Sequence, residues 1–434
     1  LPLRQPCNAD YNGRPLHLFL SGLPALNVNS DLRTDTFHCS PTDNGGLMKP
    51  IEIKKGVYWV GGIDWDLRNF HGYMTQRGST YNSYLIVDES VTLIDNVKDY
   101  TADQMLQRIS RIVDPADIDY IIQNHIEMDH SGSLPLLLEK APQATIYASP
   151  KGVENLPKLY NTDWNFTAVK SGDSISLGNP TLTFVQTPMV HWPDTMVTYC
   201  PEDKLLFSND AFGQHISSSE RFDDEYPFSI LMQEAEKYYA NIVLPYGKQV
   251  QKAMDGLSGL DIDMICPSHG LIWRSKIKEI LAEYAKWAHN KTDKKAVIVY
   301  DTMWNSTEKI AYAVQSAFEE NNYQTRMCNL QFNHISDIMT EILTAEYVCV
   351  GSPTLNNNML PAAASFLTYL KGLSPKNRKG LAFGSYGWSG ESVSLVEEAL
   401  KESGFELGPA VNYKYVPNAE ALKEISKQVA DYIS

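Results

Sequence analysis

Apolar residues in this chain recur in short runs that alternate with turn residues, and the alternation has two distinct rhythms. A strand pattern opens at 51–60, ending in Val57-Tyr58-Trp59-Val60, and β-rich runs follow at 84–87 and 91–94. Met105, Ile109 and Ile112 recur at helical spacing and predict a helix over 101–112. Next come a short buried strand at 118–122 and a polar stretch at 125–132. Further strands are predicted at 145–148, 181–186, 196–199 and 205–208, with a closing helix at 276–289. This order, strand-rich in the middle, predicts an αββα sandwich of two sheets flanked by helices.

The rhythm changes at a polar joint, Asn290-Lys291-Thr292-Asp293-Lys294-Lys295. Beyond it strands (296–300, 325–330, 347–351, 380–384, 410–415) alternate with helices (307–321, 335–344, 361–371, 392–403, 419–433). Five βα units predict a doubly wound parallel sheet. The first 47 residues show neither rhythm; their apolar stretch at 16–26 is broken by Gly22 and Pro24, with no basic region and unbroken apolar core of a secretion signal. The expected division is an extension of unknown origin at 1–47, with Met48 as the natural start, then an αββα unit at 48–290 and a parallel-sheet unit at 294–434.

A length of 434 residues agrees with two or three domains, and 43% hydrophobic with 21% charged residues reads as globular. No apolar run is long enough to span a bilayer, so no membrane role is expected. A net charge of −15 disfavours nucleic acid as a partner, because phosphate contacts need clustered Lys and Arg, and it suits a positively patched protein instead. The cysteines, Cys7, Cys39, Cys200, Cys266, Cys328 and Cys349, form no CxxC pair. That excludes a fused rubredoxin-type or zinc-ribbon centre, and the scatter makes a reducing cytoplasm the default.

Chemistry concentrates first in His125-Ile126-Glu127-Met128-Asp129-His130, directly after a predicted strand, where ligands gather in α/β proteins. His191, Asp210 and His269 each follow or adjoin a later strand. Four imidazoles and three carboxylates suffice for two metals with open positions for a substrate. His17, His38, His71, His289 and His334 stand alone and are read as structural.

A second concentration lies in three loops after strands of the last unit. In Thr302, Met303, Trp304, Asn305, Ser306 and Thr307, hydroxyls and backbone N–H groups open a helix, a phosphate cradle that needs no lysine. It is neither a GxGxxG nor a GxxxxGK[ST] loop, which argues against NAD, FAD and ATP. Pro353, Thr354, Leu355, Asn356 and Asn357 form the second loop, and Ser385, Tyr386, Gly387, Trp388, Ser389 and Gly390 the third; both fit walls for an isoalloxazine ring, with Tyr386 or Trp388 near it.

The order HxExDH, H, D, H resembles the metallo-β-lactamase superfamily, whose commoner zinc hydrolases carry HxHxDH. Here Glu127 replaces an imidazole with a hard, anionic oxygen, which suits iron and stabilises its ferric state. With a flavodoxin-like unit behind it, the chain from about Met48 onward resembles the flavodiiron proteins. The resemblance implies one iron held by His125, Glu127 and His191, another held by Asp129, His130 and His269, and Asp210 bridging. It also implies FMN, a head-to-tail homodimer, a separate rubredoxin as donor, and reduction of dioxygen to water or nitric oxide to nitrous oxide. His215, Tyr238 and Tyr239 are, by the same resemblance, residues of the reaction pocket or of the layer just behind the ligands, and Asn305 stands where the family usually has glycine. Two rivals remain at this point. One is a di-zinc hydrolase with a flavodoxin-like module, which metal analysis distinguishes. The other is an FMN electron carrier with a structural metal site, which gas consumption distinguishes.

Overall fold

The computed structural model describes residues 48–433. The expectations for 1–47, including His17 and His38, lie outside the described residues.

Two sheets form the first part. The larger is ordered 51–54, 57–59, 84–87, 91–94, 118–123, 145–148 and 166–168, antiparallel at first and parallel from 91–94 onward. The expected 51–60 strand is a hairpin, because Gly56 takes φ +76° and turns the chain between Ile51–Lys54 and Val57–Trp59. The second sheet is ordered 174–176, 181–186, 196–200, 205–209 and 264–267. Alternation assigns the faces: Leu205 and Phe207 point between the sheets with Trp59, Tyr84 and Ile122, while Leu206 points outward. On the outer face of the first sheet, Met105, Ile109, Leu134 and Leu156 pack as a helical layer.

The last part is a six-stranded parallel sheet in which 293–300 lies between 324–329 and 345–351, followed by 379–386, which pairs with both 406–407 and 411–414. Its first strand starts at Asp293, inside the joint expected to be polar linker, because Asp293 already pairs with Ala345. Val297 and Val299 face one helical layer, and Ala296 and Ile298 face the other. The first of these layers is continuous with the outer face of the second sheet, through Leu231, Tyr239, Tyr284 and Trp287 to Ile338, Phe366 and Leu370. One apolar seam therefore joins the two halves. It brings helix Pro361–Leu373 alongside the segment Tyr239–Val243, which is wound as a π-helix.

Candidate functional site

The HxExDH segment leaves strand Ile118–Gln123 and enters a one-turn helix, Met128–Ser131. Gln123 fastens this loop at both ends, its Nε2 donating to the carbonyls of His125 (2.6 Å) and His130 (2.7 Å). Buried Asp95 accepts from the Asn124 backbone at 2.8 Å and from Asn209 Nδ2 at 3.3 Å, tying this loop to the one that carries Asp210. Behind His269, Gly270 sits at φ +78° with Gln214 so close that a Cβ would overlap it, so the backbone there tolerates only glycine.

These loops bring all seven expected metal-competent side chains together. His125, Glu127 and His191 offer ligand atoms that all lie within 4.8 Å of one another, and so do Asp129, His130 and His269. Asp210 stands between the triads. Its Oδ2 lies 3.6 Å from His125 Nε2 and 3.2 Å from His191 Nε2, while its Oδ1 lies 3.0 Å from His130 Nε2 and 3.5 Å from His269 Nε2. Glu127 Oε2 is 3.3 and 3.4 Å from the imidazoles of its triad, and Asp129 Oδ2 is 3.4 and 3.2 Å from those of its own. Ligands on bonds of about 2.1 Å stand roughly 3.0–3.4 Å apart along the edges of an octahedron or tetrahedron, so the spacing fits two metal ions.

The electrostatics agree. Both carboxylate oxygens of Asp129 and of Asp210 are buried without a hydrogen-bond donor. Burial alone would lower the imidazole pKa values, but the surrounding carboxylates overcome it and hold His125 and His191 at about 10 and His130 at about 9. A site this anionic recruits cations, and a metal takes the place of those protons.

Residues behind the ligands were less legible. His125 Nδ1 donates to Asp194 Oδ2 at 2.9 Å, and the same oxygen accepts the Ile126 N–H at 2.9 Å. His269 Nδ1 donates to the Thr80 carbonyl at 2.8 Å. Such partners fix which ring nitrogen faces a metal. Asp194 could have been suspected from its place in His191-Trp192-Pro193-Asp194; Thr80 acts through its backbone and leaves no residue signal.

A cavity of 280 Å³ opens on the triads, walled by Phe70, Tyr73, Tyr238, Ile242, and Tyr369 and Leu373 of helix Pro361–Leu373. His71, expected to be structural, stands at its mouth with a side chain 73% exposed and Nε2 3.2 Å from Glu127 Oε1. Of the three expected pocket residues, Tyr238 lines the cavity. His215 lies behind it, sealed against Tyr238 and His269 and bonded to Ser79 Oγ at 2.8 Å; burial drives its pKa well down, so the ring is neutral. Tyr239 does not line the cavity: its ring packs in the apolar seam against Tyr284 and Trp287.

The three loops of the last unit enclose a second cavity of 610 Å³, within the usual range for a cofactor. Met303, Trp304, Ser306, Pro353, Thr354, Asn356, Asn357 and the 385–389 stretch line it, together with Tyr415 and Val416, which the sequence reading missed because Tyr415-Val416-Pro417-Asn418 carries no hydroxyl- or glycine-rich pattern. Thr302, Asn305, Thr307, Leu355 and Gly390 are not among the residues that line it. Thr307 Oγ1 joins Ser385 Oγ at 2.8 Å, and Asn305 takes φ +61° at the start of helix Ser306–Glu320. Asn305 makes no side-chain cap, so the first N–H groups of the helix stay free for an anion, and the Thr302 hydroxyl beside them is buried without a partner. The loop fits a phosphate.

A two-metal cleft at the edge of an αββα sandwich, set beside a flavodoxin-like sheet with a phosphate-binding loop, defines a metalloflavoprotein class. The comparisons agree. The family profile described as ODP family beta lactamase matches residues 80–270, and that of flavodoxin matches 298–428. A nitric oxide reductase of Moorella thermoacetica is 43% identical over 89% of this chain and 100% of the relative. The solved rubredoxin oxygen:oxidoreductase of Desulfovibrio gigas is 41% identical over 88% of this chain and 98% of its own, with a TM-score of 0.86. The flavodiiron protein of Giardia intestinalis has a TM-score of 0.86 at 35% identity, covering 89% of this chain and 96% of its own. This chain belongs to the flavodiiron protein family.

Proposed function

We propose that this oxidoreductase reduces dioxygen to water, nitric oxide to nitrous oxide, or both, at two non-haem irons held by His125, Glu127 and His191 and by Asp129, His130 and His269. The observation that carries the reading is Asp210, whose two oxygens face one triad each. Bound together, FMN and the two irons hold four electrons, enough with four protons for dioxygen to two waters, or with two electrons and two protons for two nitric oxides to nitrous oxide and water.

The chain's own side chains prepare the cavity for a small apolar gas. Phe70, Ile242 and Leu373 exclude water, while burial keeps the Tyr238 phenol protonated and able to donate toward charge that develops beside Asp210. In the flavin pocket Asn305 and Ser306 start the phosphate-binding helix, and Trp304 and Trp388 stand ready as ring walls. Electrons enter from a separate donor, a rubredoxin in this reading.

The working unit is a head-to-tail homodimer. This is supported by the flavin pocket's rim, where Trp304 and Trp388 are each 88% exposed and Tyr415 and Val416 are also uncovered, an apolar patch that a second copy would bury. Sedimentation of the flavin-loaded protein should give twice the chain mass; a monomer at micromolar concentration would remove the dimer.

The central test is purification after iron-replete expression, metal and flavin analysis, and parallel uptake assays of both gases with reduced rubredoxin. Asp210→Ala should keep flavin, lose iron and lose gas uptake. Full iron content in that variant would take Asp210 out of the bridging position, and a wild-type protein holding only zinc would sink the reductase reading.

A further inference from the structure

Reduction of either gas consumes protons inside a cavity walled by aromatic and aliphatic side chains, so a supply route is needed. We propose that Glu234 and Tyr73 form that route, passing protons from a solvent-reaching cavity at the seam between the two halves into the metal cavity. The inference rests on the reductase reading above and deepens it.

The seam cavity has a volume of 460 Å³ and is lined by Gln76, Arg77, Glu234, Lys237, Asp337 and other polar groups. Gln76 and Arg77 are exposed, so its outer end meets water. Its inner end is Glu234, a carboxyl on helix Phe228–Tyr238 that is only 5% exposed. Glu234 Oε1 accepts from Arg77 Nε at 3.1 Å, whereas Oε2 is buried with no hydrogen-bond partner. Tyr73 lines the metal cavity and neighbours Lys237 of the seam cavity. Its ring packs on His215 at 5.2 Å between centroids, with Lys237 Nζ 5.4 Å from the ring. The Tyr73 hydroxyl is also buried without a hydrogen-bond partner; burial first, and then the Glu234 carboxylate, hold its pKa well above the usual phenol value.

Two buried polar atoms without partners, one on a residue that lines the wet cavity and one on a residue that lines the reaction cavity, are costly for packing alone. They suit a chain of hydrogen bonds through water, the arrangement that moves a proton without moving a side chain far. Burial raises the Glu234 pKa, with Asp337 adding to it, against the opposing pull of Lys237 and Arg77, which favours the carboxyl's taking up a proton. Arg326 and Glu341 also line the seam cavity and complete the charges around it. In one transfer Glu234 takes a proton from seam water and releases it towards Tyr73. The Tyr73 hydroxyl gives up its own proton on the metal side as it accepts the new one, so neither residue changes its net protonation over a turnover.

The test compares Glu234→Gln, Glu234→Asp and Tyr73→Phe with wild type as flavin- and metal-loaded protein. Turnover is read in H2O and D2O, and flavin reduction by the donor is read separately. Glu234→Gln should lose about a hundredfold in turnover with an enlarged solvent isotope effect, while donor-to-flavin rate, metal and flavin content stay unchanged. Glu234→Asp should recover most of the rate, and Tyr73→Phe should repeat the Gln phenotype. Turnover within twofold of wild type in both Glu234→Gln and Tyr73→Phe overturns the route, as does slow turnover with an unaltered isotope effect, which is a packing defect. Should Glu234→Gln fail to load metal, Tyr73→Phe alone decides. A wild-type protein that consumes neither gas removes the reductase reading and this route with it.

Discussion

Asp194 illustrates how a residue that touches no substrate can decide whether a site works. One carboxylate oxygen holds both the His125 ring and the Ile126 backbone, so His125 presents Nε2 to the metal side in a single orientation. Asp194→Asn keeps the volume but removes the negative charge that makes the imidazole a better donor. Metal affinity should fall roughly 10- to 100-fold, measured by competition titration with a chelator, with flavin content untouched. Unchanged affinity would mean that packing alone orients the ring. The ligands themselves were legible because metal chemistry restricts residue types and strand ends restrict their places. Asp194 was hidden because its role is geometric, and His71 was hidden because nothing in Phe70-His71-Gly72 marks it as the neighbour of Glu127.

At the scale of elements, the helix starting at Ser306 depends on its entry turn. Asn305 is left-handed at φ +61°, a conformation asparagine tolerates and alanine resists by about 1 kcal/mol. Asn305→Ala should lower stability by that amount and weaken FMN retention, whereas Asn305→Gly should preserve both; thermal melts and flavin titration read the difference. Equal retention in the alanine variant would show that the turn does not shape the cradle. Most strands and helices of the parallel sheet were readable, since Ala296 to Tyr300 and Ala419 to Ile433 carry period and turn signals together. Helices Pro150–Tyr160 and Gly247–Leu257 were missed, the first carrying an internal Pro157 and the second beginning on Gly247, residues that argue against helix locally. The π-helix Tyr239–Val243 left no sequence signal, which is why Tyr238 and Tyr239 were read alike although the winding sends one to the cavity and the other to the seam.

For the whole molecule, the seam carries charge as well as apolar contact. Glu236 faces it beside Lys295, Glu341, Glu283 and Lys286, and burial first, then the neighbouring glutamates, raises its pKa from 4.5 to about 7 against the pull of the lysines. A raised folded pKa favours the protonated form, so this group's share of stability is complete below about pH 4.5 and is lost as pH climbs through 7. Glu236→Gln should therefore raise the melting temperature at pH 8, by the equivalent of about 3 kcal/mol at most, and leave it unchanged near pH 4.5; a gain equal at both values would trace to packing instead. Helix Pro361–Leu373 spans this seam from the flavin loops at its start to the metal cavity at its end. Thirteen residues at about 1.5 Å each make a rigid strut of roughly 20 Å. In the proposed head-to-tail dimer a lone chain is an open circuit, and the circuit would close when another copy lays its flavin against the metal mouth. Diluted until copies separate, the protein should stay yellow and iron-loaded and yet fall idle.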